Sequence, residues 1–116
     1  TGAPNIEPTS WEMNAAAQAR LTILHAVTAY PAPSEESNLR VIPALRDEFG
    51  CRVGLSDHSL GSHVSIAAVA LGAQVIEKHF TLDRSLPGPD HAASLIPIEM
   101  KSFVSQLRET SLALGD

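Results

Sequence analysis

Arg52-Val53-Gly54-Leu55-Ser56-Asp57, then Val64, Ala67, Ala68 and Leu71 on one helical stripe closed by Gly72, then Gln74-Val75-Ile76-Glu77-Lys78-His79-Phe80: residues 52–80 read as strand, helix, strand. The pattern extends in both directions. Upstream, Leu21 to Ala29 is an apolar run with Thr and Val of strand length, stopped by Tyr30-Pro31-Ala32-Pro33. Leu39, Ile42, Leu45 and Phe49 then recur at spacings of three or four, a helix ended by Gly50. Downstream, past a Pro/Gly loop, Met100, Phe103, Val104 and Leu107 mark a third helix ended near Gly115. Three strand–helix units with short connections predict an α/β fold, a parallel sheet with crossover helices. Open doubly wound sheets and closed barrels share this pattern, and periodicity does not separate them. In the first twenty residues, Thr9 or Ser10 is positioned to cap a helix through Trp11, Met13, Ala16 and Ala17, although Asn14 and Gln18 interrupt its apolar stripe.

The composition narrows the function classes. With 116 residues the chain suits one domain with a core, and its 44% hydrophobic content argues against disorder. No stretch approaches the ~18–20 apolar residues of a membrane span, and the first twenty residues lack the apolar segment of a signal peptide. A net charge of −5 with eight scattered Lys and Arg disfavours nucleic acid, which needs clustered cations. One cysteine, Cys51, permits no internal disulfide; it reads as a small residue at the start of a strand, and the cytoplasm is the expected compartment.

In βα proteins ligands bind where strands end and loops begin. Strand alternation lets Thr28, Tyr30, Ser56, His58, Glu77 and His79 share one space at the three strand ends, with mainly apolar residues on the other face under the helices. His58 and His79 would then end consecutive strands, which lie ~5 Å apart if paired. Two such imidazoles could share a divalent metal with water or substrate oxygens, or could be ordinary histidines hydrogen-bonded in a polar crevice. Glu77, costly to bury without a partner, is a candidate general acid or base, an orienting partner for a histidine, or half of an ion pair. The loop from Thr81 to His91 holds Asp90 within a stiff Pro-Gly-Pro segment; Asp90 is either a site residue or the cap of the chain that follows.

These strand ends resemble the sialic acid (N-acetylneuraminate) synthase family. The resemblance lies in Ala29-Tyr30-Pro31-Ala32-Pro33, in Gly54-Leu55-Ser56-Asp57-His58-Ser59-Leu60-Gly61, and in the run from Val75 to Arg84 and on through Pro87-Gly88-Pro89-Asp90. The linking segments Asn38 to Pro43 and Ala67 to Ala73 also match. It covers about Leu21 to Gly115, while the stretch before Arg20 departs from the family's helix. The resemblance implies a TIM-type (β/α)8 barrel in which residues 1–116 supply the sixth to eighth βα units. The implied reaction is a metal-dependent, carbon–carbon bond-forming transfer. In it C3 of phosphoenolpyruvate attacks the aldehyde of N-acetylmannosamine or a related hexosamine, water adds at C2, and phosphate leaves. It further implies Mn2+ or Mg2+ at His58 and His79, phosphoenolpyruvate at Ser56, amino sugar at Tyr30 and Asp90, and catalytic roles for Glu77, near the metal, and for Asp90, positioning the sugar hydroxyls or a metal-bound water. Thr28 stands where a member of the family has asparagine. Legionaminic and pseudaminic acid synthases share most of these strings, and Pro-Gly-Pro-Asp-His-Ala-Ala-Ser leans towards the sialic and legionaminic kinds.

The same resemblance sets an expectation of incompleteness. A closed barrel takes ~250 residues, with roughly 200 as a lower bound. A site for the phosphoenolpyruvate trianion needs several cations, yet Lys78 and Lys101 are the only lysines and alternation turns Lys78 away from the crevice. The family's phosphate-binding lysines come from earlier strands, and its antifreeze-like C-terminal domain is absent here. The chain is therefore expected to be a partial barrel, inactive alone, prone to aggregate or oligomerise through open strand edges, and part of a homodimer when full length. A non-catalytic remnant retaining the fold and weak metal binding is the competing expectation.

Overall fold

The computed structural model describes residues 15–115. Helix α1 (Ala15–Arg20) precedes strand β1 (Thr22–Ala26); α2 (Val41–Phe49), β2 (Arg52–Asp57), α3 (His63–Ala70), β3 (Ile76–Lys78) and α4 (Pro97–Leu114) follow. The expected cap and the residues Trp11 and Met13 of the first helix lie outside the described residues; Ala16 and Ala17 are helical.

The sheet has three parallel strands in the order β1-β2-β3, and α2 and α3 cross over between neighbouring strands as the sequence pattern requires. Ala26 pairs with Ser56, Ser56 with Glu77, and Asp57 with Lys78. Two strands are shorter than expected. The expected strand Leu21 to Ala29 stops pairing at Ala26, because the next carbonyl, that of Val27, accepts a hydrogen bond from the His58 ring. The expected strand Gln74 to Phe80 is regular only over Ile76–Lys78. Gln74 N–H still donates to Val53 O, and Phe80 leaves the sheet to bridge with Leu95.

The core lies between the sheet and α2 and α3: Ile42, Val53, Leu55, Val64, Ala68 and Ala73, with Leu39, Leu45 and Ile76 packed against them. Cys51 is buried beside the start of β2. On α3 the expected stripe is partly wrong: Ala67 and Leu71 are exposed, and Ser65 is buried in their place. Helix α2 ends at Gly50, whose left-handed φ of 63° lets its N–H reach Arg46 O at 2.8 Å. Helix α4 starts with Pro97 at its first position, and the Glu99 carboxylate accepts the Ile96 N–H at 3.1 Å. Its Phe103 is buried. On the opposite sheet face Leu24, Ala26, Val75 and Glu77 are exposed.

Gly54 sets how closely the strands approach. A Cβ there would lie 2.2 Å from Val75 O and 2.8 Å from Leu24 Cδ2. Gly54→Ala is expected to lower the urea midpoint by the equivalent of about 1–3 kcal/mol, the usual range for overpacking; an unchanged midpoint would contradict the close approach.

Candidate functional site at the strand ends

Three rings meet beyond the ends of β1, β2 and β3. Tyr30 stacks on His79 with centroids 4.4 Å apart and planes at 30°, while His58 stands edge-on to both at 5.5 Å and 76°. Alternation along β2 and β3 accounts for this: His58 and His79 each follow the last strand residue and continue the Ser56 and Glu77 face. Ser56 Oγ donates to Glu77 Oε1 at 2.6 Å, across the register that pairs the two residues. Five of the six expected residues are thus in mutual contact. Thr28, the sixth, is exposed, and no hydrogen bond joins it to the others. Glu77 is exposed rather than buried, so the burial cost expected for it does not arise; its partner is a hydroxyl.

Proton positions follow from the partners. His58 Nδ1 lies 2.6 Å from Val27 O. A carbonyl only accepts, so Nδ1 carries a proton, leaving Nε2 as the ring's second polar atom. That Nε2 sits 3.3 Å from Ser56 Oγ, whose own proton is directed to Glu77. The ring is therefore held by its far nitrogen, as histidine ligands of metals are, with its near nitrogen against Ser56 Oγ.

Asp90 does not cap the helical turn His91–Ala93, since its side chain makes no capping hydrogen bond. Its Oδ2 lies 3.9 Å from His79 Nδ1, beyond hydrogen-bond reach but within range of a protonated ring. The loop carrying it is anchored at several points. Thr81 Oγ1 donates to Asp83 O at 3.0 Å and pairs with His91 Nδ1 at 2.6 Å. Ser94 Oγ donates to Asp90 O and lies 3.4 Å from the Tyr30 hydroxyl. Arg84 reaches Ser94 O at 3.2 Å and forms an ion pair with Glu99. The sequence reading missed Ser94, Arg84 and Glu99, whose contacts form only once the loop folds back.

Behind the site the expected apolar face contains a buried ion pair. Lys78 Nζ lies 3.3 Å from Asp57 Oδ2, with side chains 4% and 0% exposed. Lys78 does point away from the crevice, as alternation predicts. Among the described residues no group of three or more His, Cys, Asp or Glu side chains is placed to hold a metal ion. What the site offers a cation is two imidazoles, with the Asp90 carboxylate beside one of them. That donor set fits a divalent ion that takes its remaining ligands from water or substrate oxygens.

Comparison with known proteins places this arrangement in a family. The model of the NeuB family matches residues 1–116, and the chain belongs to that family. It is 53% identical over 89% of its length to N,N'-diacetyllegionaminic acid synthase of Campylobacter jejuni, and 52% identical over 82% to the Legionella pneumophila enzyme of the same name. It spans 31% and 27% of the length of those relatives. The crystal structure of N-acetylneuraminic acid (sialic acid) synthetase from Leptospira borgpetersenii superposes with a TM-score of 0.78 at 38% identity, covering 82% of this chain and 33% of that one. The three-stranded parallel α/β arrangement is therefore that of a sialic acid synthetase over this segment. No helix among the described residues is long and apolar enough to cross a membrane.

The Arg84 hydrogen bond, then the Ile96 N–H, hold the Glu99 carboxyl below its ordinary pKa. A carboxyl whose folded pKa is lowered stabilises the fold above its ordinary value and loses that contribution as pH falls through the lowered one. Acidification through the lowered pKa should therefore reduce the hydrogen-exchange protection factor of the Ile96 amide, more weakly in high salt because the pair is exposed. Glu99→Ala should show the low protection factor at neutral pH already, and identical pH profiles of the protection factor for both proteins would contradict the linkage.

Proposed function

We propose that this chain is a segment of a nonulosonic acid synthase that condenses phosphoenolpyruvate with an N-acetylated hexosamine, and that His58 and His79 hold its divalent cation, Mn2+ or Mg2+. The observation that carries the metal reading is the His58 ring, fixed by Nδ1–H on Val27 O and standing edge-on to a second imidazole, His79, 5.5 Å away. The identities to two legionaminic acid synthases and the superposition on a sialic acid synthetase support the reaction class; the former favour a legionaminic-type sugar. In this reading the three βα units are part of a closed (β/α)8 barrel, units six to eight, in a cytoplasmic homodimer. The exposed face with Leu24, Ala26 and Val75 would be the barrel's inner wall.

The chemistry a bound divalent cation supplies is Lewis-acid polarisation of a carbonyl oxygen. The side chains here bind and orient. Tyr30, stacked on His79, presents its hydroxyl to the sugar side, and Asp90, on an anchored loop, accepts sugar hydroxyls. Thr28 offers an exposed hydroxyl at the rim. Ser56 binds phosphoenolpyruvate by donating its single hydroxyl proton, which Glu77 accepts in the free site. A substrate oxyanion thus competes with Glu77 for that proton, and Glu77 is freed to act as the acid or base. The phosphate needs cations that these strand ends do not supply, which makes the isolated segment inactive.

Isothermal titration should show Mn2+ binding to this chain, reduced at least ~10-fold in His79→Gln, with no phosphate released from phosphoenolpyruvate and hexosamine. In a full-length synthase carrying this segment, His79→Gln should abolish metal-dependent phosphate release. Unaltered Mn2+ affinity, or turnover by the isolated chain, would overturn the respective half of the proposal.

A further inference from the structure

Asp57 and Lys78 form the one ion pair among the described residues in which both side chains are buried, and no step of the proposed chemistry uses it. Its hydrogen bonding is complete. Asp57 Oδ1 accepts from Ser59 N–H at 2.8 Å and Ser59 Oγ at 2.5 Å, and Oδ2 accepts from Ser65 Oγ on α3. Lys78 Nζ, with three protons to place, donates to Ser59 O at 2.5 Å and Gly61 O at 3.1 Å and faces Asp57 Oδ2 at 3.3 Å. The Phe103 ring of α4 lies 5.6 Å away, within the range at which a ring face attracts an ammonium. No buried side-chain polar atom among the described residues lacks a partner.

We propose that the Asp57–Lys78 pair is the positioning device that keeps His58 and His79 facing each other, an inference that rests on the two-histidine reading of the site. Each histidine follows one member of the pair in sequence and so emerges on the opposite face of the sheet. His58 lies between two residues fixed by the pair, Asp57 and Ser59, and its own carbonyl accepts the Ala32 N–H at 2.8 Å. His79 lies between Lys78 and Phe80, which bridges with Leu95, and its carbonyl accepts the Leu95 N–H at 3.1 Å. The charges lock β2, the following loop and β3 at the level where the two rings project. An apolar pair would fill the same volume with no directional contact to Ser59, Gly61 or Ser65. Among the described residues the buried ion pair lies at this level alone, and the imidazoles emerge immediately beyond it.

The test is 15N-histidine NMR of the chain, reading the His58 tautomer and the nuclear Overhauser contacts between the His58 and His79 rings, alongside Mn2+ titration. In wild type His58 should be the Nδ1–H form with ring contacts present. Lys78→Met should lose both in the folded population and bind Mn2+ at least tenfold more weakly. Should Lys78→Met not fold, Asp57→Leu/Lys78→Met removes both charges, a replacement that buried pairs often tolerate, and the same losses are expected in that folded protein. A folded variant with the wild-type tautomer, ring contacts and Mn2+ affinity would overturn the proposal and leave the pair a purely structural one. Wild type with intact ring contacts but no Mn2+ binding would instead overturn the metal reading and leave the positioning claim standing.

Discussion

The register of β2 against β3 pairs Ser56 with Glu77 and Asp57 with Lys78, and the rest of the site depends on that alignment. A slip of one strand by one residue would turn each of its side chains to the other face. Slipping β3 would put the Lys78 ammonium into the open crevice, away from Asp57, and press Glu77 against the helices. The buried pair therefore opposes slippage more strongly than an apolar pair would. Removing one member of such a pair typically costs about 3–5 kcal/mol, because the other charge stays buried without compensation. With each donor and acceptor of the pair engaged, the aligned register is the state in which that cost vanishes.

On the crevice side the same alignment produces a site held by many weak constraints. His58 is fixed through its ring and its carbonyl, His79 through stacking on Tyr30 and through Leu95. The loop bearing Asp90 is drawn back by Ser94, Arg84 and Glu99. Side chains held from behind and from the flanks lose little freedom when a ligand arrives. The residues left to respond are Ser56 and Glu77, whose shared proton is the group most readily redirected towards an incoming anion.

Much of this was legible in the sequence, because alternation and punctuation are local. Arg52 to Asp57 is the strand expected, Gly50 ends its helix as expected, and the grouping of Tyr30, Ser56, His58, Glu77 and His79 followed from counting by twos. What stayed hidden depends on register and on distant partners. Lys78 could be turned away from the crevice by parity, but nothing in the sequence says that Asp57 lies beside it 21 residues earlier in the chain. Ser65 lies outside the apolar stripe expected for its helix; it is buried and donates to Asp57. Ser94 carries no pattern until the loop folds back over the strand ends, and the helix-start position of Glu99 does not reveal its pairing with Arg84. The carbonyl that shortens β1 is likewise taken by a ring 31 residues away.

Electron spin-echo envelope modulation of Mn2+ bound to the chain with 15N-labelled histidine tests the account most directly. Coupling to two imidazole nitrogens, falling to one in His79→Gln, is the result predicted. A Mn2+ signal without histidine nitrogen coupling would contradict it.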